Sequence, residues 1–289
     1  MVGPAVTKLA AQANVLARIA ALGGMYGIEL GEIDQALAVL GPELANEVIV
    51  TVPSSFDRIA VATRVAHERV AALVDRDQLR RFELLAAGTP TLELELAAGS
   101  GGAVTTLRAT GSRDIASDCE VLGAMGIARP VLDSLRHCAA QLGSPTAIAE
   151  KTDRNGHAWL VELAQDNATA ADRAATRAQL TAVARELAAT EPQCNLVDRL
   201  HDVLAKDRDS HATLAVLPDR PCLELAVRWH HVRWETVIRM MLGFHPGSDA
   251  GKQAGEIAGA FDADEAFAIE LVLGPSEPPR MSVAVTFGA

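Results

Sequence analysis

TAIAEKTDRNGHAWLVEL, residues 146–163, carries the strongest local folding signal in the chain. Asn155-Gly156 is a favoured pair for a two-residue hairpin turn, because both central positions of that turn need positive φ. Residues 146–151 and 157–163 flank it with apolar and β-branched side chains that suit strands. A hairpin is expected here, and the rest of the chain reads as repetitions of it.

Four more strand-like pairs follow the same plan: 47–52 with 58–65, 92–96 with 104–108, 211–217 with 222–229, and 265–273 with 280–287. Stretches of helical period precede each pair, at 6–21, 30–40, 67–87, 112–123, 129–142, 168–189, 196–206, 232–242 and 250–260. An open sheet of ten strands would leave two unpaired edges, whereas closure leaves none. The expected fold is therefore α+β: a ten-stranded antiparallel barrel built from five helix-hairpin units and surrounded by helices. Residues 1–289 are read as one barrel domain, because no linker or low-complexity tract divides them. A division near Asn167, or an open sheet with one face in water, is the competing arrangement.

The net charge of -11 opposes binding to a polyanion, and no Lys/Arg cluster gathers on one segment. Nucleic acid and anionic membrane are not expected partners. No run approaches the roughly 20 apolar residues that cross a bilayer, and the N-terminus lacks a secretory pattern, so a cytoplasmic protein is expected. No feature of the sequence specifies an oligomeric state. Cys119, Cys138, Cys194 and Cys222 are far apart and read as ordinary thiols. Aromatic residues make up only 3% of the chain, which leaves few rings to line a pocket.

If the apolar strand faces meet the helices, the mixed faces point inward. That places Glu93, Glu95, Glu162, Glu224, Glu270, Arg64, Arg108 and Arg228 around a central space. Buried charges must be paired, hydrated or neutralised, so these residues imply a polar lumen. Arg228 and Glu224, four residues apart and in phase, suit a ligand clamp or a self-neutralising network. His157 begins a second possible inward register with Trp159 and Val161, which excludes Glu162 unless a bulge intervenes. His230 and His231 are adjacent, so their side chains should diverge. Walker, dinucleotide, zinc-protease and serine-elbow motifs are missing from the sequence.

In element order the chain resembles the soluble aromatic prenyltransferases of the ABBA, or PT-barrel, family. Local similarity is concentrated in residues 153–187, at Asp219-Arg220-Pro221-Cys222 through Val227, and in 271–283. The resemblance implies transfer of an allylic prenyl group from its diphosphate to a small aromatic acceptor. It places Arg220, Arg280 and Arg154 on the diphosphate, Trp159 against the allylic cation, and Glu162 or Glu224 as the catalytic group that orients or deprotonates the acceptor. Arg108, Arg228, His157, Glu93 and Glu270 would complete the substrate chamber. Two departures stand out. Val104-Thr105-Thr106 replaces a lysine that the family typically supplies, and Tyr26 is the chain's only tyrosine. No cofactor is required by the sequence, although Mg²⁺ could accompany the diphosphate. The alternative is a barrel of the same kind that binds a small amphipathic metabolite, or catalyses a non-prenyl rearrangement or cyclisation, with its carboxylates meeting an amine.

Overall fold

Large aliphatic residues at alternate strand positions give each strand one face that must leave water. Val48, Val50 and Val52 are buried on β1 (Glu47–Pro53), as are Leu92, Leu94 and Leu96 on β3 (Leu92–Gly99). The other strands are β2 (Arg58–Val65), β4 (Val104–Thr110), β5 (Ser144–Asp153), β6 (Gly156–Gln165), β7 (Ser210–Val216), β8 (Leu223–Arg233), β9 (Glu265–Gly274) and β10 (Glu277–Gly288). Helices α1 (Pro4–Tyr26), α2 (Gly31–Val39), α3 (His67–Val70), α4 (Arg76–Ala86), α5 (Ile115–Ala124), α6 (Arg129–Leu142), α7 (Ala170–Glu186), α8 (Glu191–Leu204) and α9 (Trp234–Phe244) alternate with the hairpins. The computed structural model describes residues 4–40, 47–53, 55, 57–86, 92–100, 102–154, 156–165, 167–205, 210–218, 223–244, 252–253, 255–257, 265–274 and 277–288.

The strands form one closed antiparallel barrel in the order β1-β10-β9-β8-β7-β6-β5-β4-β3-β2. Val50 pairs with Val285 of β10 and with Val61 of β2, so the first strand is held by both the second and the last. Closure excludes the open-sheet arrangement. Strands β6 and β7, on either side of Asn167, are neighbours in the same barrel.

Because each hairpin pairs two consecutive antiparallel strands of the barrel, the hairpins join at one end, and the described helices α3 to α9 stand between successive hairpins at the other. The outward strand residues and the inner helix faces form the main apolar core, including Leu107, Ile148, Val161, Leu214 and Leu271 from the sheet with Leu135, Leu180 and Val197 from the helices. Each such side chain removed from water contributes on the order of 2 kcal/mol.

Local signals set the helix boundaries. Asp114 accepts hydrogen bonds from the backbone N–H groups of Ala116 and Ser117 and starts α5, two residues inside the expected 112–123 stretch. Thr169 and Asp172 form a capping box at α7. Stretch 67–87, expected as one helix, is two, and Asp75 caps the second by accepting from the N–H groups of Asp77 and Gln78. Much of the expected helix at 250–260 lies outside the described residues. No described helix is long and apolar enough to cross a membrane.

Candidate active site

Inside the barrel the alternation reverses in character. Ala60, Ala97, Ala158, Ala215 and Ala226 are the small residues of the inward face, and they leave a cavity of about 340 Å³. Charged side chains cross this cavity at two levels.

At the turn end stand Arg58, the first residue of β2, Lys151, two residues before the end of β5, and Arg280 of β10. Arg280 Nη2 lies 3.5 Å from Glu224 Oε2. Arg58 and Lys151 have no ion-pair partner among the described residues. Asp57 shares this rim, but its carboxylate accepts hydrogen bonds from the hydroxyls of Ser55 and Ser100. Gly99 makes the rim possible: a Cβ there would lie 2.2 Å from the Asp57 carbonyl oxygen.

Deeper in the lumen, two arginines face a set of carboxylates. Arg108 pairs with Glu93 through Nη1, and its Nε lies 2.8 Å from Glu162 Oε1 as an ion pair without a well-aimed N–H. Arg228 donates from Nε and Nη2 to Glu270 Oε2 at 3.1 and 2.7 Å. Glu95 accepts from Thr106 Oγ1 at 3.3 Å and has no paired cation among the described residues.

The floor is electrostatically committed. Burial opposes ionisation of Glu162, but Arg108, Arg228 and His211 outweigh it and hold the carboxyl below its ordinary range. Burial likewise opposes the charge on Arg108, yet Glu162, Glu93, Glu95 and Glu270 raise its pKa. Arg228 is also raised, with Glu270 and Glu162 overcoming burial and the nearby Arg108. Glu162 is thus a carboxylate, not a carboxylic acid, at neutral pH.

The register places several expected site residues elsewhere. Ala158, Leu160 and Glu162 face the cavity on β6, so the opposite set, His157, Trp159 and Val161, faces the helix layer. No bulge interrupts β6 between Trp159 and Glu162, whose partners on β7 run in step from Val216 to Thr213. Trp159 is fully buried and meets the ring of His157 edge-on at 5.9 Å. The inward placement of Trp159 and His157 is therefore corrected by the uninterrupted pleat. Among the described residues, the cavity has no aromatic side chain in its wall.

Arg154 is exposed in the third turn and does not line the cavity, while Arg64 is exposed at the helix-linked end of β2. Arg220 and Cys222 lie outside the described residues. Cys119, Cys138 and Cys194 are buried free thiols, each raised in pKa chiefly by burial. Arg58 and Lys151 were not singled out from the sequence. Their signal was phase: each shares a strand face with alanines, Ala60 and Ala62 in one case, Ala147 and Ala149 in the other.

The combination of cationic rim, small-residue belt and carboxylate floor sits in an architecture found in other proteins. No protein-family model matches the chain, and no curated protein matches its sequence. In structure, 5-dimethylallyltryptophan synthase from Streptomyces coelicolor is similar at a TM-score of 0.70 and 13% identity, over 96% of this chain and 97% of that one. The chain has the PT-barrel fold. Another PT barrel, PriB in a binary complex with product diphosphate, gives a TM-score of 0.68 at 13% identity, covering 96% and 95% of the two chains. AnaPT from Neosartorya fischeri gives 0.69 at 10%, covering 94% and 92%. The likeness to these three PT barrels spans the five hairpins together with their helices.

Proposed function

We propose that this PT barrel transfers an allylic prenyl group from its diphosphate to a small aromatic acceptor. The observation that carries the reading is the turn-end rim, where Arg58, Lys151 and Arg280 converge at a cavity of sufficient size for small substrates. Three cations above a small-residue belt suit a diphosphate whose hydrocarbon points inward. Guanidinium and ammonium groups form charge-assisted bonds to phosphate oxygens, and they stabilise the leaving group as its charge grows. The names of 5-dimethylallyltryptophan synthase and of the PriB diphosphate complex agree with this donor chemistry.

The floor would hold the acceptor. Glu95, with no paired cation among the described residues, can accept from an acceptor N–H or O–H, and ionised Glu162 can take the ring proton. Glu224 would position Arg280 at the rim. Bringing acceptor and allylic carbon together between two fixed charge layers supplies proximity without solvent reorganisation. Among the described residues, no grouping of acids, histidines and cysteines forms a ready metal site. Arg58, Lys151 and Arg280 carry the diphosphate charge in this scheme, and Mg²⁺ bound to the donor would share it.

The lack of an aromatic side chain among the described wall residues favours one other reading, a PT barrel that binds an amphipathic amine or rearranges a substrate without a free allylic cation. Calorimetry with dimethylallyl, geranyl and farnesyl diphosphates, with and without Mg²⁺, separates the two. Saturable binding that weakens in Arg58→Ala and Arg280→Ala supports transfer, whereas no binding under either metal condition removes it in favour of the metabolite barrel.

A further inference from the structure

Behind the carboxylate floor, toward the helix-linked end, the lumen face continues into histidines. His211 is the second residue of β7, in phase with Thr213 and Ala215, which line the cavity. His230 occupies the same face of β8 beyond Arg228. His211 Nδ1 lies 3.0 Å from His230 Nε2, with the rings nearly perpendicular at 87°. His211 is also among the groups that hold Glu162 ionised.

The next residue departs from what a strand would give. Adjacent strand side chains point to opposite faces, yet the ring of His231 lies 6.5 Å from that of His230. The cause is a positive φ of 54° at His231, a conformation that a non-glycine residue adopts at a cost of about 1 kcal/mol or more. His231 is exposed. The strained residue therefore sets an exposed imidazole near the partly buried ring of His230.

We propose that Glu162, His211, His230 and His231 form a proton exit through the helix-linked end of the barrel, an inference that rests on the transfer reading above. In that reaction the allylic carbon breaks its bond to the diphosphate oxygen and forms one to an acceptor ring carbon. The leaving oxygen keeps the bonding electrons. The ring C–H pair then returns to the ring, and the proton passes to the Glu162 carboxylate. Bound diphosphate occupies the rim at this moment, and the histidines lead away from it toward the helix-linked end. Each imidazole takes the proton on one nitrogen and releases one from the other.

The surroundings suit passage over storage. Burial first, then the charges of His211, Arg228 and His231, push the pKa of His230 down to about 3, with Glu162 opposing them. Among the described residues, Arg108, Glu93, Glu95 and Glu270 are the other charged groups of the adjoining floor.

Two measurements test the path. In ¹⁵N-histidine-labelled protein, Glu162→Gln should change the tautomer populations of His211 and His230; unchanged imidazole resonances would overturn the connection. In turnover with dimethylallyl diphosphate and tryptophan as probes, His230→Ala should lower kcat by about 10²-fold with both KM values kept, the lower end of what a positioned proton-transfer group contributes. Added imidazole should restore part of the rate. His231→Gly, which relieves the positive φ, should raise the thermal midpoint while also lowering kcat, and it keeps the test open if His230→Ala folds poorly. Unchanged kcat in both variants, or a loss that imidazole never rescues, overturns the exit. Failure of the wild type to bind any of the three prenyl diphosphates removes the transfer reading itself, and with it the exit's role, whatever the tautomers show.

Discussion

Arg108 Nε stands 2.8 Å from Glu162 Oε1 on the barrel floor, and the same guanidinium binds Glu93. Arg108→Met would leave two carboxylates in a largely enclosed site without their shared cation. Breaking such a buried pair costs about 3–5 kcal/mol. The pH dependence gives a second readout. The depressed pKa of Glu162 contributes stability that is full above its ordinary value of 4.5 and is lost as pH falls through the lower folded-state value. In the variant that contribution is gone and protonation relieves the repulsion. Urea denaturation should show a large destabilisation at pH 8 that shrinks toward pH 4; a constant difference would contradict the coupling.

Lys151 and Arg154 are three residues apart in the same hairpin, but only Lys151 lines the cavity. Lys151→Met and Arg58→Met should each weaken pyrophosphate binding by about tenfold, the loss of one charge-assisted contact of roughly 1.5 kcal/mol. Arg154→Ala should leave it unchanged. Calorimetry at two salt concentrations checks this, since removing a true contact also lessens the salt dependence. Equal losses in the Lys151 and Arg154 variants would move the anion site out of the lumen.

The barrel was legible because the turn signals and alternating strands are local, and Asn155-Gly156 alone defines one hairpin. Which face of a strand turns inward is not local. On β6 both faces are mixed: one carries His157, Trp159 and Val161, the other Ala158, Leu160 and Glu162. The helices decide, because their apolar sides need the larger residues, and the alanines are left to the lumen. The family resemblance points to Arg154 in the third hairpin, whereas Lys151 and Arg58 share their strand faces with the alanines that mark the inner face. The proximity of His230 and His231 was beyond reach for another reason, since one left-handed residue redirects a ring and leaves no pattern in the sequence.

Trp159 supplies a direct check on that inward-outward assignment. Its ring is fully buried against the helix layer, and its Nε1 has no hydrogen-bond partner among the described residues. Trp159→Phe loses buried area but also removes an unsatisfied donor, so stability should change by no more than about 1 kcal/mol. Trp159→Ala should cost about 3–5 kcal/mol through the cavity it leaves. Prenyl transfer by Trp159→Phe should match the wild type in kcat. A kcat loss exceeding tenfold in a well-folded Phe variant would place the ring against the reacting carbon after all.

Glu150 carries the clearest pH prediction away from the lumen. It is fully buried between β5 and α4, with Oε1 2.7 Å from Arg81 Nε and Oε2 lacking a hydrogen-bond partner among the described residues. Burial pushes its pKa up to about 7, against the opposing effect of Arg81. A raised folded-state pKa means that the fold favours the protonated carboxyl. The associated stability is full below the ordinary value of 4.5 and declines as pH rises through about 7. The decline amounts to about 3 kcal/mol. Glu150→Gln keeps the shape and an acceptor for Arg81 while removing the charge. Its urea midpoint should therefore exceed that of the wild type at pH 8 and approach it at pH 5. Parallel pH profiles for the two proteins would show that Arg81 neutralises Glu150 fully and that the buried carboxylate carries no penalty.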